Sequence, residues 1–352
     1  HGLRQMPVDG WLPVTVPGAP AAWAELVGRF GRLKLTEVLA PAIEYAEAGF
    51  PVSPIISRQW AAGYKRFGVL KGPEFGCWLE TFAPAGRAPL AGEIWRSPAH
   101  AHTLRRLADS DCQDFYQGEI ARRIDAFSRQ YGGCLRASDL AGYRPEWVEP
   151  ISVNYRGHEV WELPPNGHGL VTLLALNILQ GMQFERKESA DTYHLHIEAI
   201  KLAFADGLKY IADPRRSNVP VKELLAEAYT ASRRGLIGPK ALQPTAGEPV
   251  KGGTVYLATA DGEGNMVSYI QSNYMGFGSG LVVPETGIAL HNRGCNFSLE
   301  PGHANALAPG KRPYHTIIPG FLTKNGKAVG PFGVMGGFVQ PQGHLQMVTS
   351  ML

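Results

Sequence analysis

Cysteine is scarce in this chain, with four residues among 352: Cys77, Cys112, Cys134 and Cys295. They lie far apart and form no C-x-x-C pair. Zinc ribbons and small disulfide-stabilised scaffolds need closely spaced cysteines, so both classes are excluded. We expect the thiols to be buried and unpaired, as free cysteines usually are.

Concentrated positive charge and long apolar runs are also lacking. The chain carries 34 basic and 31 acidic residues, a net charge of +3, and no segment is dense in lysine or arginine. Its most apolar run, 170–179, is half the length of about 20 residues that spans a bilayer, and it contains Asn177. We therefore expect neither a nucleic-acid partner nor a membrane span. With 44% hydrophobic and 18% charged residues, the composition is that of a globular protein.

Hydrophobic periodicity predicts a helix-rich first part. Apolar residues recur at helical spacing over 19–49, where Gly49 and Pro51 end the pattern, and again over 193–211, before Asp213-Pro214. Between these segments, 153–163 alternates around Tyr155-Arg156-Gly157, which predicts a pair of strands.

The last part of the chain reads as β-structure. Residues 238–253 are rich in Gly and Pro and predict an exposed connection. Beyond it, 254–260 and 266–272 are β-type runs joined by a five-residue loop, 261–265, which predicts a hairpin. The sequence thus indicates an α+β protein with helices packed on antiparallel strands.

Several familiar motifs are set aside. Gly276–Gly280 has the spacing G-x-G-x-G, and 281–283 continues as a strand rather than a helix, which disfavours a nucleotide loop. There is no G-x-S-x-G motif for a serine hydrolase. His194 and Glu198 share a helix face, but without an evident third ligand we expect an exposed polar face rather than a metal site. No cofactor and no metal is predicted.

Thr254 heads the predicted hairpin, directly after Gly252-Gly253. A threonine hydroxyl is a poor nucleophile unless a base lies beside it, and an N-terminal threonine can use its own α-amine as that base. Such a mechanism requires cleavage between Gly253 and Thr254. An ordinary strand residue is the alternative interpretation.

An ordered set of short motifs runs along nearly the whole chain. Before the linker these are Val16–Trp23 (VPGAPAAW), Asp139–Tyr143 (DLAGY), Tyr155–Gly157 (YRG), Leu163–Pro165 (LPP), Ala203–Asp206 (AFAD) and Asp213-Pro214. After it they are Thr254, Gly278–Gly280, Glu285–Ile288 (ETGI), Asn305, Pro309–Pro313 (PGKRP) and Gly336-Gly337. In this order the motifs resemble the gamma-glutamyltranspeptidase family of N-terminal-nucleophile (Ntn) hydrolases. Family members are longer at both ends, so an internal fragment is expected.

The resemblance implies a four-layer αββα fold and a precursor that cuts itself into two subunits. Residues 1–253 would belong to the large subunit, and 254–352 would begin the small, catalytic one. Thr254 would be the nucleophile and, through its freed amine, the base. Ser272 would hydrogen-bond the nucleophile, and the backbone N–H groups of Gly336 and Gly337 would bind the oxyanion. The implied reaction is acyl transfer from an amide to water or an amine, as in a gamma-glutamyltransferase or glutathione hydrolase.

The substrate pocket departs from the family pattern. Arg293 and Asn296 stand where the classical enzymes bind the α-amine of a γ-glutamyl group with acidic or amide side chains. Tyr274 replaces an asparagine, and His315-Thr316 replaces a serine pair that binds the α-carboxylate. Because Arg293 suits a carboxylate rather than an ammonium, we expect an acyl group without the α-amine, such as a dicarboxylic monoamide. Cephalosporin (glutaryl) acylases and oxamate amidohydrolase are relatives of this type. A structural ion pair or a surface position is the alternative for Arg293.

Two other interpretations remain at this stage. The chain could be an unprocessed homologue that only binds a ligand, since Tyr256 and the pocket differ from the family, or a globular domain in which Thr254 has no chemical role. The compartment is also open. Classical bacterial relatives are secreted to the periplasm, whereas unpaired cysteines favour the cytoplasm.

Overall fold

The computed structural model describes residues 2–243 and 253–352. The chain forms two compact units. The sheet unit comprises residues 1–6, 147–274 and 296–352, and the helical unit comprises 7–146 and 275–295. Most of the predicted linker, 244–252, lies outside the described residues.

The helical unit is built from short helices around an aromatic-rich core. The sequence predicted helix over 19–49, and two helices occupy that stretch, which Gly31 and Gly49 terminate. Its elements are α1 (Ala19–Phe30), α2 (Leu35–Ala48), β1 (Phe50–Pro51), α3 (Pro54–Phe67), α4 (Gly76–Phe82), β2 (Ile94–Trp95), α5 (Pro98–Asp109), α6 (Gln113–Gln117), α7 (Glu119–Gln130) and α8 (Ala137–Ala141).

The sheet unit contains a four-stranded antiparallel sheet and a separate hairpin. The strands are β3 (Ile151–Tyr155), β4 (His158–Glu162), β5 (Gly253–Ala260), β6 (Met266–Tyr274), β7 (Gly320–Lys324) and β8 (Lys327–Phe332). The sheet has the order β3-β4-β7-β8, and β5 pairs with β6. Both hairpins predicted from the sequence, β3-β4 and β5-β6, are confirmed.

Five helices complete the sheet unit: α9 (Gly169–Gln180), α10 (Ala190–Tyr210), α11 (Val221–Leu225), α12 (Glu227–Arg234) and α13 (Gln340–Met351). The apolar run 170–179 forms α9, which is buried on nearly all sides. A helix that is hydrophobic all round belongs in a core, and α9 packs against β3, β4, α10 and α13. None of the helices within the described residues is long and apolar enough to cross a membrane.

Three local expectations were wrong. Residues 281–283 form only an isolated bridge, Val282 to Ala289, because no strand continues beside them. Cys134 is exposed, although Cys112 is buried. Glu198 lies on a buried face of α10, where its carboxylate accepts hydrogen bonds from the Lys201 ammonium (2.8 Å) and the Leu242 amide (2.9 Å).

Candidate active site

The predicted nucleophile faces a second hydroxyl across the β5-β6 hairpin. Thr254 pairs with Ser272 in the strand register, and their side-chain oxygens lie 3.0 Å apart. Strand residues that oppose each other on one face bring their side chains together, so the register itself creates this contact. The structure therefore brings Thr254 and Ser272 together as the resemblance implied.

The backbone is irregular at the position where cleavage was predicted. The regular register breaks between Gly253 and Thr254, opposite the end of β6. At that end Tyr274 adopts a left-handed conformation (φ 73°), and its amide donates a 2.8 Å hydrogen bond to Ser272 Oγ. A hydroxyl can donate one hydrogen bond and accept two, so Ser272 can still donate to Thr254 Oγ1. Ser272 is thus oriented toward Thr254 by the backbone of its own strand.

Tyr274, one of the predicted substrate-binding residues, is itself buried. Its side chain is 1% exposed and lies close to Tyr314, whose pKa is raised well above its usual value by burial first and by Tyr274 second. Tyr314 stacks on Phe338, with ring centroids 5.4 Å apart. Tyr274 is therefore a buried residue near Tyr314 rather than part of an open surface.

Asn305 connects two predicted substrate-binding segments. Its side-chain amide donates to the Asn296 carbonyl (2.6 Å) and accepts from the Tyr314 amide (3.0 Å), while Asn296 donates to the Tyr314 carbonyl (3.0 Å). The next residues, His315 and Thr316, were predicted to bind substrate. The three bonds hold Asn296 beside them.

His315 and Thr316 are fixed by the loop that precedes α9. The His315 amide donates to the Asn166 carbonyl (2.9 Å), and the His168 amide donates to the His315 carbonyl (3.0 Å). His315 is half-buried, whereas Thr316 is fully buried. The imidazole Nδ1 accepts a hydrogen bond from the Ile317 amide (3.2 Å), which orients the ring.

Asp213 is bonded to the segment that leads to His315 and Thr316. Burial alone would raise the pKa of its carboxyl, but hydrogen bonds from the Arg215 side chain and from the Arg312 and Arg215 amides lower it to about 2. The motifs Asp213-Pro214 and Pro309–Pro313, far apart in the sequence, therefore meet through this carboxylate. Neither Asp213 nor Asn305 was predicted as a site residue, although both stand in the motifs that carried the resemblance.

The predicted oxyanion donors lie in the segment 333–339, between β8 and α13. Gly336 (φ 135°) and Gly337 (φ 61°) both have positive φ, a conformation that side chains with a Cβ adopt only with strain. A short 3₁₀ turn, Gly337–Val339, then leads into α13. Backbone N–H groups at such a helix start lack intrahelical partners, so they are suited to bind an anion.

Tyr256 joins this segment to the strand of the predicted nucleophile. Its ring lies against Gly333, where an added Cβ would overlap the ring atoms, and its hydroxyl lies 3.2 Å from Ser268 Oγ. Tyr256, which departs from the family pattern, is therefore a packing residue between β5 and the segment 333–339, called the glycine segment below.

Arg293 lies in the helical unit and is buried, with 3% of its surface exposed. It begins a 3₁₀ turn, Arg293–Asn296, and its amide donates to His291 Nδ1 (3.0 Å). The pKa of His291 falls to about 4, mainly through burial and then through the Arg293 charge. The surface position considered for Arg293 is thus wrong, and a buried guanidinium requires polar or anionic partners.

A buried polar pair in the sheet unit was not predicted from the sequence. The carboxylate of Glu162, at the end of β4, lies 2.6 Å from Nδ1 of His344 in α13, and both side chains are fully buried. Neither residue belongs to a local motif, so only the tertiary structure shows the pairing. No group of three or more potential metal-ligating side chains occurs among residues 2–243 and 253–352.

Sequence comparisons show that the chain is similar to several proenzymes of amide-cleaving enzymes. The gamma-glutamyltranspeptidase family profile matches residues 1–352. The glutathione hydrolase-like YwrD proenzyme of Bacillus subtilis is 37% identical over 96% of this chain and 64% of its own length. The oxamate amidohydrolase proenzyme of Klebsiella pneumoniae is 37% identical over 99% of this chain and 66% of its own length. The acylase ACY 1 proenzyme of a Pseudomonas species is 35% identical over 98% of this chain and 62% of its own length. The chain thus spans about two thirds of these relatives.

Solved structures confirm the predicted fold class. Cephalosporin acylase from Bacillus halodurans superimposes with a TM-score of 0.96 at 59% identity, covering 99% of this chain and 65% of that one. Helicobacter pylori gamma-glutamyltranspeptidase gives a TM-score of 0.62 at 26% identity, covering 67% of each chain. The fold is therefore the α+β, αββα fold of the Ntn hydrolases.

Proposed function

The chain belongs to the gamma-glutamyltranspeptidase family, and from that premise we propose that it is part of a self-processing amidohydrolase or acyltransferase whose nucleophile is Thr254. One observation carries the proposal: the Thr254 and Ser272 hydroxyls lie 3.0 Å apart across the β5-β6 hairpin. The relatives named above are proenzymes, which supports a precursor that is cleaved into large and small subunits.

Processing requires the hydroxyl of Thr254 to attack the carbonyl carbon of Gly253. The attack forms an ester between Gly253 and Thr254 Oγ1 and breaks the peptide C–N bond, which frees the Thr254 amine. Water then hydrolyses the ester and leaves a carboxylate on Gly253. The irregular backbone between Gly253 and Thr254 supports this step, because a regular ladder would hold the amide in a geometry unsuited to attack.

In the mature enzyme the freed amine would take the proton of Thr254 Oγ1 as the hydroxyl attacks the substrate amide. Ser272 would donate a hydrogen bond to the same oxygen, and the N–H groups of Gly336 and Gly337 would stabilise the oxyanion of the tetrahedral intermediate. Collapse of the intermediate expels the amine portion of the substrate amide and leaves an acyl ester on Thr254. Water or an acceptor amine then releases the acyl group.

For the substrate, we propose a dicarboxylic acyl group that lacks an α-amine. The family resemblance assigns Arg293 to the substrate pocket, and its buried positive charge would oppose an ammonium group. The name of one relative, oxamate amidohydrolase, agrees with such a group, because oxamate is the monoamide of a dicarboxylic acid. The runner-up is a γ-glutamyl substrate, which the glutathione hydrolase relatives favour.

Kinetics on two chromogenic amides, glutaryl- and γ-glutamyl-p-nitroanilide, test both the nucleophile and the acyl group that we propose. Thr254→Ala should abolish hydrolysis and Thr254→Ser should retain part of it, because serine keeps the nucleophilic oxygen. Thr259→Ala, at an exposed position of the same strand, is the matched control.

The glutaryl amide should be preferred, and Arg293→Ala should reduce that preference, whereas exposed Arg129→Ala should not. A preference for the γ-glutamyl amide that Arg293→Ala leaves unchanged would refute the substrate assignment alone. Activity retained by Thr254→Ala would refute the nucleophile, and a binding protein would then be the better interpretation.

A further inference from the structure

The buried pair Glu162–His344 is unusual in its isolation. Both side chains are 0% exposed, and the distance from Glu162 Oε1 to His344 Nδ1 is 2.6 Å. Among the described residues, neither Glu162 Oε2 nor His344 Nε2 has a hydrogen-bond partner. Each group therefore depends on the other for its solvation, and removal of one leaves the other buried without a partner.

His344 contacts the residue before the segment 333–339 and stands in the helix after it. It lies in the second turn of α13, the helix that follows the segment, and its ring packs against Phe332, the residue that precedes it, with centroids 4.9 Å apart. The other side chain of the pair, Glu162, ends β4 in the four-stranded sheet. The pair thus links α13, the helix that follows the segment, to strand β4 of the sheet.

The same segment is held against the strand of the nucleophile. Tyr256, two residues after Thr254, packs on Gly333 at the entrance of the segment. The pKa of the Tyr256 hydroxyl is raised mainly by burial and, to a lesser degree, by the Glu162 carboxylate, which places the two groups near each other. Helix α13, strand β4 and strand β5 meet there.

We propose that Glu162 and His344 are positioning residues. They would hold the backbone of Gly336-Gly337 in the position needed to bind the oxyanion that forms when Thr254 attacks. This inference rests on the proposed function, in which those N–H groups bind the oxyanion. Neither side chain touches the reacting atoms. Because catalysis depends steeply on the position of preorganised donors, a displaced segment should lower kcat while substrate binding is largely kept.

The test compares Glu162→Leu with Glu162→Gln, using the better of the two p-nitroanilides and counting only enzyme that is folded and cleaved before Thr254. Loss of the hydrogen bond in Glu162→Leu should reduce kcat roughly 10-fold or more, with KM within about 3-fold of wild type by the same argument. Glu162→Gln keeps an oxygen that accepts from His344 Nδ1–H, so it should restore most of kcat.

Glu198→Leu is the matched control, because Glu198 is an equally buried, paired carboxylate in the same unit. It should affect thermal stability to a similar degree but leave kcat per folded enzyme unchanged. If Glu162→Leu does not fold, Phe332→Leu disturbs the same segment at its entrance without leaving a buried polar group unpaired, and the same loss of kcat is expected.

Unchanged kcat in Glu162→Leu or, where that variant does not fold, in Phe332→Leu would overturn the positioning role while leaving the proposed function intact. A rise in KM alone in the same variant would overturn it equally. A wild-type protein that neither cleaves itself nor hydrolyses either amide would overturn both, and this outcome is separately visible by mass.

Discussion

At the residue scale, the proposed chemistry depends on two hydroxyls that face each other across one hairpin. Ser272 Oγ accepts from the Tyr274 amide and contacts Thr254 Oγ1. Ser272→Ala removes both interactions and should slow cleavage and acyl transfer about 5-fold, the equivalent of one hydrogen bond of about 1 kcal/mol. Ser272→Thr should retain activity.

The control for this prediction is Ser268→Ala on the same strand, whose hydroxyl contacts Tyr256 rather than Thr254. Cleavage rates are measured by mass spectrometry and acyl transfer with the p-nitroanilides. Equal rates for wild type and Ser272→Ala would show that the contact plays no part in the chemistry.

A second residue-scale prediction concerns Gly337. With φ at 61°, alanine at this position is strained by about 1–2 kcal/mol. Gly337→Ala should therefore shift the predicted oxyanion donor and lower kcat, with a smaller change in KM. Gly326→Ala carries a similar strain (φ 72°) in the β7-β8 turn, where an added Cβ meets no atom within 4 Å. If Gly337→Ala and Gly326→Ala both lose stability but keep the kcat of wild type, Gly337 has no role in catalysis.

Residue-level prediction from the sequence depends on a local pattern. Thr254 stands out because it follows two glycines and opens a β-run. Glu162 and His344 could not be identified, because they lie 182 residues apart and each looks like an ordinary polar residue in its own segment. Their significance arises only when β4 and α13 pack together.

At the element scale, hydrophobic periodicity predicted the helices and hairpins that local sequence determines. The helix around 193–211 and both hairpins are present. The break in register between Gly253 and Thr254 was not predicted, because register depends on the partner strand and on the left-handed conformation of Tyr274. The burial of Glu198 was missed for a similar reason, since the Leu242 segment covers that face of α10.

Asp213 provides a pH-dependent prediction for the loops that carry His315 and Thr316. Its pKa of about 2 in the folded protein lies below the value of about 3.9 in an unfolded chain. The ionised form is thus favoured by folding. The contribution, about 2 kcal/mol, is present above pH 4 and is lost as the pH falls from about 4 to about 2.

Asp213→Asn should accordingly be less stable than wild type at pH 7, and the difference should shrink between pH 4 and pH 2. Thermal unfolding over this range measures it, with exposed Asp191→Asn as the control. A stability difference that stays constant with pH would mean that the carboxylate charge is not what holds Arg312 and Arg215.

At the scale of the whole molecule, compact units and predicted subunits divide the chain differently. Residues 147–274 lie in one unit, so the sheet unit contains sequence from both sides of the Gly253–Thr254 bond. The predicted division into 1–253 and 254–352 concerns processing, and it stays a prediction. Such an arrangement lets the two products of cleavage remain packed in one core, which includes Leu176 of α9 and Val348 of α13.

The overall fold was predictable through the family resemblance rather than through composition. Composition and periodicity alone indicate an α+β protein, and the ordered motifs identified the Ntn-hydrolase fold that the solved structures confirm. Substrate specificity is less accessible from the sequence, because the residues that depart from the family, Tyr274, Arg293 and Thr316, are buried. Their effect on a substrate depends on packing that no motif describes.

The central claim is tested most directly by the intact mass and N-terminal sequence of the purified protein, measured for wild type and for Thr254→Ala. Our account predicts that wild type yields a new fragment beginning Thr-Val-Tyr-Leu, and that Thr254→Ala remains one polypeptide. A folded wild-type protein that stays uncleaved, or a Thr254→Ala variant that is still cut at Gly253, would contradict it.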